Sequence, residues 1–475
     1  MENTTGQKIS RSLLWSVISL AMLTFLGILS ETSLNIAYSS LMREYGIEAS
    51  VVQWLTTGYL LILAIVIPSS TYLVRRFATV RLFQCAVSIF MIGTVLGACA
   101  PSFSILLCAR LIMAIGTGIS LPLMTNVVLE KAQFHQRGML MGIVSMVISA
   151  GPAIGPVYGG IVLQFLTWHY IFIIMVPFLV GALIVGTLAL PDISDRTRAA
   201  ISPSSMMLVA VGLGSLMISF SFAYSWHGDW RFWLVLLLGI AIMSAFVVLQ
   251  MHVHNPLINV KVFSYQGFSI GIATIMISQA CVLGINFMLP LLLQNGLRLS
   301  SMTAALLLLP GAAVGSMAAP RVGSSLRSHR ATVMMTVGFS GMLVSAVVMS
   351  LLPGSAAAIM VIYVLFMTGA CLVATPGQTH SLNQLPPSMN ADGSAVLNTL
   401  QQLSGALGTT IASTLITAFQ SQTFNGGSDF AQSYTSAFSK GMPPFIALIV
   451  IAVLLTLRLR HFEQAPRSVA AQLHE

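Results

Sequence analysis

Long apolar stretches separated by short polar segments run along the whole chain. A membrane-spanning helix needs about 20 predominantly apolar residues, and fourteen stretches of suitable length can be counted. They lie near residues 11–38, 52–74, 82–100, 103–128, 138–165, 168–190, 205–225, 231–250, 268–294, 298–319, 332–352, 356–378, 394–420 and 443–460. The pattern predicts an all-α polytopic membrane protein with fourteen transmembrane helices.

Two polar connectors divide these predicted helices. Residues 191–204 (PDISDRTRAAISPS) follow the sixth helix, and residues 251–267 follow the eighth. We therefore expect an N-terminal six-helix bundle at 1–190, a connector with an inserted helix pair at 191–260, and a C-terminal six-helix bundle with a cytoplasmic tail at 261–475. An internal echo, IGTGISLP in the fourth helix and TGACLVATP in the twelfth, favours duplication, and secondary transporters are commonly built from such repeats.

The basic residues predict the orientation. With fourteen spans and a cytoplasmic N-terminus, sixteen of the twenty-one Lys and Arg residues fall inside, and only Arg43, Arg231, Arg298 and Lys440 fall outside. Cytoplasmic loops of membrane proteins carry an excess of Lys and Arg. We therefore expect both termini in the cytoplasm.

Composition excludes several classes of function. Hydrophobic residues make up 56% of the chain and charged residues 7%, whereas soluble domains carry roughly a quarter charged residues. The net charge of +9 comes without a basic stripe or interleaved aromatic residues, so we expect no nucleic-acid partner. The five cysteines lie in apolar stretches without metal-ligand spacing, and no nucleophile elbow, P-loop or HExxH motif occurs. We expect no catalytic residues, no metal and no cofactor.

Glu31 is a carboxylate inside the first apolar stretch, and ionisable groups within the membrane are costly and mark functional sites. Thr24, Gly27, Glu31, Asn35 and Tyr38 recur at three- and four-residue spacing, so they share one helix face. We expect the four neutral residues to line a substrate cavity and Glu31 to carry a proton. The alternative is a structural interhelical hydrogen bond, which an Asn would make at a lower cost of burial.

Arg110 is the second charge at membrane depth. It lies seven residues after the predicted start of the fourth helix at Phe103, and Glu31 lies seven residues before the predicted end of the first helix at Tyr38. At 1.5 Å per residue both lie roughly 10 Å below the outer surface. We expect Glu31 and Arg110 to form a proton-coupling site, directly or through polar groups. A static ion pair is the alternative.

The fifth predicted helix contains SAGPAIGPVYGGIV, in which small residues and prolines repeat every four positions. Small residues let helix backbones approach closely, and prolines bend a helix. We therefore expect a closely packed, bendable hinge between the halves. The residues concerned are Gly151, Pro152, Gly155, Pro156, Gly159 and Gly160.

The second half offers only neutral polar candidates for a substrate path. They are Asn286 in the ninth helix and Asn398 and Gln401 in the thirteenth. Interhelical hydrogen bonding is the alternative.

These motifs together resemble the fourteen-span drug:proton antiporters of the major facilitator superfamily, over nearly the whole chain. SAGPAIGPVYGG resembles the family's antiporter motif in helix five. LLCARLIMAIGTGISLPLM resembles the helix-four motif, whose arginine, here Arg110, is implicated in proton transfer. Within the family, the similarity is highest to the lincomycin-resistance (LmrB-like) branch of the EmrB/QacA group.

Two positions differ from the family pattern. An acid usually stands five residues before the helix-one asparagine, whereas here Ser30 stands five residues before Asn35 and Glu31 follows it. The loop after helix two usually reads G-x-L-a-D-R-x-G-R, and this sequence has TYLVRRFATVR. Its basic residues, Arg75, Arg76 and Arg81, are the candidates for a gating loop.

The resemblance implies a proton-coupled multidrug efflux transporter of the cell (cytoplasmic or inner) membrane, and hence a role in antibiotic resistance. Its expected partners are protons, small lipophilic or cationic drugs and the lipid bilayer, with the proton motive force in place of a cofactor. Nothing in the sequence indicates a periplasmic adaptor, although the fold is compatible with one. The alternative is a dedicated exporter of one metabolite, lipid-like molecule or peptide on the same fold. A non-transporting membrane sensor or scaffold is a more remote alternative.

Overall fold

A computed structural model of the chain describes residues 11–131, 134–191, 203–222, 226, 229–253, 256, 259–325, 330–386, 389–427 and 429–463. Within these ranges all regular structure is helical, which confirms the all-α prediction. The first eight helices are α1 (Arg11–Tyr45), α2 (Ala49–Val52), α3 (Trp54–Arg76), α4 (Thr79–Ala98), α5 (Phe103–Lys131), α6 (Phe134–Phe165), α7 (His169–Ile173) and α8 (Met175–Ala189).

The remaining helices follow the first connector. They are α9 (Pro203–Ser221), α10 (Trp230–His252), α11 (Gln266–Leu291), α12 (Ser301–Ser325), α13 (Ala331–Leu351), α14 (Ala356–Asn383), α15 (Asn390–Asn425), α16 (Phe430–Gly441) and α17 (Pro443–Glu463). A 3-10 turn (Val260–Ser264) precedes α11, and a π-helical turn (Leu292–Gly296) follows it.

Twelve helical segments of the described residues are long and apolar enough to cross a membrane. Two further long helices, α6 with 32 residues and α15 with 36, lie at other predicted spans. The count of fourteen crossings stays a prediction. So does the cytoplasmic location of the termini, because residues 1–10 and 464–475 lie outside the described residues.

The helices form two groups, which are joined by the contacts of α6 with α12 and of α3 with α15. In the N-terminal group, α1 packs against α5, α6 and α8, and α4 packs against α5 and α8. In the C-terminal group, α11 packs against α14, α15 and α17, and α13 packs against α14 and α17. Helices α9 and α10 pack against each other, and α9 also contacts α3 and α15. The domain boundaries at 190/191 and 260/261 stay predictions, and residues 192–202 of the connector lie outside the described residues.

Glycines bring neighbouring helices together in the same way in both groups. A Cβ on Gly116 of α5 would lie 2.6 Å from the carbonyl oxygen of Ala86 in α4. A Cβ on Gly369 of α14 would lie 2.5 Å from the carbonyl oxygen of Gly338 in α13. Since no larger residue fits at such a distance, α4 and α5 are held as closely as α13 and α14.

The two bundles are joined at one end, which is predicted to face outward and is called the outer end below. The hydroxyls of Thr57 in α3 and Thr409 in α15 are 2.8 Å apart, and Gln294 Nε2 donates to the carbonyl oxygen of Ile36 at 3.0 Å. The amide of Ser50 also donates to Thr417 Oγ1 of α15 at 3.1 Å, at the same end. The conformation is therefore closed at the outer end.

The predicted end of the first helix, near residue 38, is wrong because α1 continues to Tyr45. Gly46 adopts a positive φ of 63°, and the amide of Ile47 bonds to the carbonyl oxygen of Met42 at 3.1 Å. This is the Schellman arrangement, in which a left-handed glycine closes a helix. The helix end is set by Gly46 rather than by the end of the apolar stretch.

Helix α16 was not predicted, because its twelve residues are too short for a membrane span. Its buried residues recur at three- and four-residue spacing, which is the pattern of an amphipathic helix packed on one face. They include Tyr434, Ala437, Phe438 and Gly441.

Candidate functional site

Arg110 lies at the centre of the N-terminal bundle, where α5 carries it into contact with two other helices. The residue is fully buried, at 0% exposure. Its Nη1 donates to Ser30 Oγ of α1 at 2.9 Å, and its Nε donates to the carbonyl oxygen of Leu55 in α3 at 3.4 Å. Its guanidinium carbon also lies 4.1 Å from the centre of the Tyr59 ring, which is cation–π geometry. Three helices therefore meet around one buried positive charge.

The charge of Arg110 is not neutralised by an acid in this conformation. Its Nη2 has no hydrogen-bond partner among the described residues, and the ion pairs described in the chain are Arg231–Asp229 and Arg298–Asp429. A buried charge without a counter-charge is costly. The alternative of a static Glu31–Arg110 ion pair is therefore not realised in this conformation.

Glu31 follows Ser30, the hydroxyl partner of Arg110, and its side chain is half-buried. Because α1 continues to Tyr45, the equal depths expected for Glu31 and Arg110 do not follow from the ends of their helices. The hydrogen bond from Arg110 to Ser30 shows instead that the two helices meet at this level. The half-buried Glu31 is thus next in sequence to Ser30, the partner of Arg110, and Arg110 Nη2 has no hydrogen-bond partner among the described residues.

Two of the predicted cavity residues on α1 lie in a helix interface. Thr24 is buried and its hydroxyl is 3.1 Å from that of Ser120 in α5. A Cβ on Gly27 would lie 2.6 Å from Cγ2 of Thr117, also in α5. Small and hydroxyl-bearing side chains let α5 approach α1 here, so these two residues do not line an open cavity in this conformation.

Tyr38 and Asn35 share a partner on α3. The Thr56 hydroxyl bonds to the Tyr38 hydroxyl and donates to Asn35 Oδ1 at 3.4 Å. Tyr38 is fully buried, with its ring centre 5.4 Å from that of Phe287 in the other bundle. Asn35 is half-buried, as Glu31 is. Of the five residues singled out on α1, Glu31 and Asn35 are the two that keep accessible surface.

None of the described contacts of Arg110 is with a candidate in the C-terminal half. Asn286 Oδ1 accepts a hydrogen bond from the Tyr363 hydroxyl at 2.8 Å, which links α11 to α14. On α15, Asn398 is exposed and Gln401 is half-buried. The contact of Asn286 matches the interhelical alternative, and a role in a substrate path stays a prediction for all three residues.

The glycine repeat of α6 packs against the turn of α1 that carries Glu31. A Cβ on Gly151 would lie 2.8 Å from Cβ of Ile28, and a Cβ on Gly155 would lie 3.2 Å from the Ser33 amide nitrogen. A Cβ on Gly159 would lie 2.5 Å from the Ser33 carbonyl oxygen. The repeat therefore fixes the distance between α6 and this part of α1.

The last glycine of the motif faces the other bundle. A Cβ on Gly160 would lie 2.6 Å from Cβ of Ala305 and 3.2 Å from the Ser301 carbonyl oxygen, both in α12. Pro152 and Pro156 are half-buried within α6 and leave two of its turns without an amide donor. Helix α6 thus connects the α1 site to the opposite bundle, and its action as a hinge stays a prediction.

The gating-loop candidates lie at the end opposite to the outer contacts. Arg76 ends α3 and Arg81 lies in the first turn of α4, and both are exposed. The side chain of Arg75 lies outside the described residues. A gating role stays a prediction for all three.

Sequence reasoning missed Ser30 and Tyr59, which contact Arg110, and Thr56, which bonds to Tyr38 and Asn35. The sequence indicates Ser30 only as the position of the family's acid, and it does not single out Thr56 or Tyr59. Three polar residues in one helix turn, from Thr56 to Tyr59, are the signal that could have found them. Which of them would face Arg110 depends on how α3 is rotated about its axis.

Similarity to known proteins decides the family. The family model described as Major Facilitator Superfamily matches residues 20–409. The chain belongs to the major facilitator superfamily. The chain is also similar to named proteins over most of its length. It is 37% identical over 422 residues to lincomycin resistance protein LmrB of Listeria monocytogenes, covering 88% of this chain and 89% of LmrB. The riboflavin transporter RibZ of Clostridioides difficile is 28% identical over 434 residues, covering 89% and 92%.

Solved structures show the same superfamily fold. The POT family transporter PepTSo superposes with a TM-score of 0.70 at 13% identity, over 97% of this chain and 99% of that one. A bacterial homolog of the human lysosomal transporter Spinster gives a TM-score of 0.68 at 16% identity, over 95% and 98%. These comparisons confirm the predicted fold class, the resemblance to the LmrB branch, a multi-pass location in the cell membrane, and a transporter rather than an enzyme.

Proposed function

We propose that this superfamily member is a proton-coupled multidrug efflux transporter that exports lipophilic or cationic compounds by alternating access. It uses the proton motive force and no cofactor. The observation that carries the proposal is the N-terminal charge centre, in which Arg110 is fully buried with a free Nη2 and Glu31 follows its partner Ser30. The similarity to LmrB, a protein named for lincomycin resistance, supports a drug as the cargo.

Glu31 is the group that exchanges the proton. An apolar surrounding disfavours a charged carboxylate, whereas a nearby guanidinium favours it. When Glu31 releases its proton, Arg110 Nη2 is available to the carboxylate. When Glu31 is protonated, Arg110 keeps its bonds to Ser30 and Leu55. Small movements of α1 relative to α5 can therefore change how readily the proton is held.

The available driving force is sufficient for export against a gradient. One pH unit across the membrane supplies about 1.4 kcal/mol per proton. A potential of 100 mV adds roughly 2.3 kcal/mol per charge moved. Each of these contributions raises the concentration ratio that the transporter can sustain at least tenfold.

The packing around Glu31 supports alternating access by rocking of the bundles. The outer end is held by side-chain contacts such as Thr57 with Thr409, which can break without disturbing either bundle. The glycine face of α6 packs against α1, and Gly160 packs against α12. A proton-dependent shift of α1 is therefore passed to the contact between the halves.

The test is efflux from proteoliposomes under an imposed pH gradient, with a cationic dye and a lincosamide as cargo. Glu31→Gln should lose the gradient-driven component while the protein remains folded. Glu130→Gln removes the same charge at the exposed far end of α5 and should transport normally. Full gradient drive in Glu31→Gln would refute the coupling role.

The alternative is a dedicated exporter of one metabolite, lipid-like molecule or peptide. The similarity to RibZ, a protein named as a riboflavin transporter, favours this alternative. The same vesicles separate the two functions. Transport of the dye and the lincosamide supports a multidrug exporter, whereas transport of riboflavin without either drug supports the dedicated one.

A further inference from the structure

A cavity of about 240 Å³ lies at the closed outer end, between the two bundles. Pockets for drug-sized ligands run to roughly 300–1,000 Å³, so this one suits a smaller molecule. The N-terminal bundle contributes the end of α1 and the start of α2, and the C-terminal bundle contributes the π-helical turn, α15 and α16. Six of its lining residues are Ser39, Arg43, Glu48, Asn295, Phe430 and Tyr434.

One buried hydroxyl in the wall of this cavity lacks a partner. Ser39 is 1% exposed, and its Oγ makes no hydrogen bond among the described residues. Leaving such a group unpaired is unfavourable. Ser39 lines the cavity, so a rotation of its side chain would present this hydroxyl to an occupant.

The same wall carries two opposite charges that do not neutralise each other. Arg43 Nε donates to the Ser39 carbonyl oxygen at 3.2 Å, and Glu48 Oε2 accepts from Ser50 Oγ at 3.4 Å. Within the described part of the chain, no ion pair joins Arg43 to Glu48. Each charged head is thus available to a group of opposite charge in the cavity.

The opposite wall is aromatic. The rings of Phe430 and Tyr434 on α16 are 5.1 Å apart, and aromatic faces attract both apolar groups and ammonium ions. The ion pair of Arg298 with Asp429, at 2.6 Å, ties the segment after the π-helical turn to the start of α16. This ion pair therefore fixes the start of α16, and with it the aromatic wall, within the C-terminal bundle.

We propose that this cavity binds a compact zwitterion with an apolar body, of the amino-acid class. Arg43 binds its carboxylate, Glu48 binds its ammonium group, and Ser39 supplies a further hydrogen bond. Phe430 and Tyr434 cover the apolar body. Because both bundles line the cavity, the occupant binds the conformation that is closed at the outer end and favours it over others.

Three probes with the same benzyl side chain test the charge requirement. They are L-phenylalanine, L-phenylalaninamide, which keeps only the ammonium group, and N-acetyl-L-phenylalanine, which keeps only the carboxylate. Binding is measured by isothermal titration calorimetry on the full chain in phosphatidylglycerol nanodiscs. We expect L-phenylalanine to bind at least about tenfold more tightly than either analogue, a difference of about 1.4 kcal/mol.

Removing one charge from the cavity wall should remove the preference for the probe that carries the matching charge. Arg43→Gln should lower the affinity for L-phenylalanine to that for the amide, and Glu48→Gln should lower it to that for the N-acetyl compound. Arg76→Gln, at the opposite end of the molecule, is the control and should bind normally. Absence of L-phenylalanine binding, equal binding of the three probes, or full binding by both wall variants would overturn the proposal.

The headgroup of phosphatidylethanolamine also carries one positive and one negative charge. A separate experiment therefore distinguishes this lipid from a free amino acid as the ligand. The titration is repeated in nanodiscs that contain this lipid. Unchanged affinity supports a free amino acid, whereas loss of binding overturns that assignment in favour of the headgroup.

The dependence on conformation has a separate test. Thr57→Cys with Thr409→Cys places two thiols where the hydroxyls are 2.8 Å apart, so that a disulfide locks the outer end. The oxidised protein should bind L-phenylalanine at least as tightly as the reduced protein. Weaker binding after oxidation would overturn the assignment of the site to the closed conformation.

Discussion

The two bundles contain the same kind of internal link between helices, but only the N-terminal link is charged. In the N-terminal bundle, Arg110 of α5 donates to Ser30 of α1 at 2.9 Å. In the C-terminal bundle, the Tyr363 hydroxyl of α14 donates to Asn286 of α11 at 2.8 Å. Both donors are buried.

The two donors occupy equivalent places relative to a packing glycine. Arg110 lies six residues before Gly116, which packs against α4, and Tyr363 lies six residues before Gly369, which packs against α13. The correspondence agrees with the internal echo of the sequence. It places the two hydrogen bonds in the same helix pair of each repeat.

The difference shows what the fold does not require. A neutral tyrosine and asparagine hold α14 to α11, so a buried guanidinium is not needed to hold α5 to α1. The residues next in sequence to the two acceptors also differ in charge. The acidic Glu31 follows Ser30, whereas the apolar Phe287 follows Asn286. The charges of the N-terminal bundle are costly to bury and are best explained by transport.

The largest expected effect comes from removing the charge that distinguishes the bundles. Arg110→Met should reduce gradient-driven efflux about 5- to 150-fold, the range that corresponds to a coupling free energy of about 1–3 kcal/mol. Tyr363→Phe removes the equivalent neutral link and should leave the response to the gradient unchanged. The measurement is the initial efflux rate from proteoliposomes as a function of the imposed pH difference.

Arg110→Lys sharpens this comparison. Lysine keeps the charge but lacks the planar fork that reaches Ser30 and Leu55 together, so we expect a response between those of the wild type and Arg110→Met. If Tyr363→Phe lost the gradient response as fully as Arg110→Met, the two links would serve the same structural purpose and the distinction between the bundles would fail.

The second effect concerns packing, which the bundles share. Gly159→Ala would bring a Cβ to 2.5 Å from the Ser33 carbonyl oxygen, between α6 and α1. Gly408→Ala would bring one against the carbonyl oxygen of Ala280, closer than in Gly159→Ala, and to 2.7 Å from Cα of Ala280, between α15 and α11. Overpacking of this kind typically costs about 1–3 kcal/mol, so both variants should unfold at lower temperature.

Gly181→Ala is the matched control, because no atom lies within 4 Å of the added Cβ. Its unfolding temperature, followed in detergent by tryptophan fluorescence, should equal that of the wild type. A large loss in only one of the two interface variants would mean that the helix pairs are not packed equivalently.

The sequence located the helices because membrane thickness requires long apolar stretches, and these are visible without knowledge of the neighbours. It failed where other interactions set the boundary. Gly46 and its hydrogen bonds end α1 seven residues beyond Tyr38. Helix α16 exists because one of its faces packs against the bundle, and twelve residues carry no membrane signal.

The residues of the site also differ in how readily they could be predicted from the sequence. Glu31 and Arg110 were singled out because a charge in an apolar stretch is unusual in any context. Ser30, Thr56 and Tyr59 were not, because hydroxyl groups are common in membrane helices and acquire a role only from residues on other helices. The orientation of each helix about its axis is decided by packing, which one sequence does not reveal.

The smallest expected effect is the loss of one hydrogen bond in each bundle. Tyr363→Phe should lower the free energy of unfolding by about 0.6 kcal/mol, the average for side-chain bonds within membranes, because water can reach the half-buried Asn286. Ser30→Ala should cost more, about 1–3 kcal/mol, because it leaves a second N–H group of the buried Arg110 unpaired.

Unfolding titrations in sodium dodecyl sulfate measure both losses against Ser340→Ala. Ser340 is exposed on α13 and bonds only within its own helix, to the Thr336 carbonyl oxygen at 2.8 Å, so this control should show no loss. A loss in Ser30→Ala no larger than that in Tyr363→Phe would show that water already solvates Arg110. The charge centre would then be open to solvent, and the physical reason for treating the two links differently would disappear.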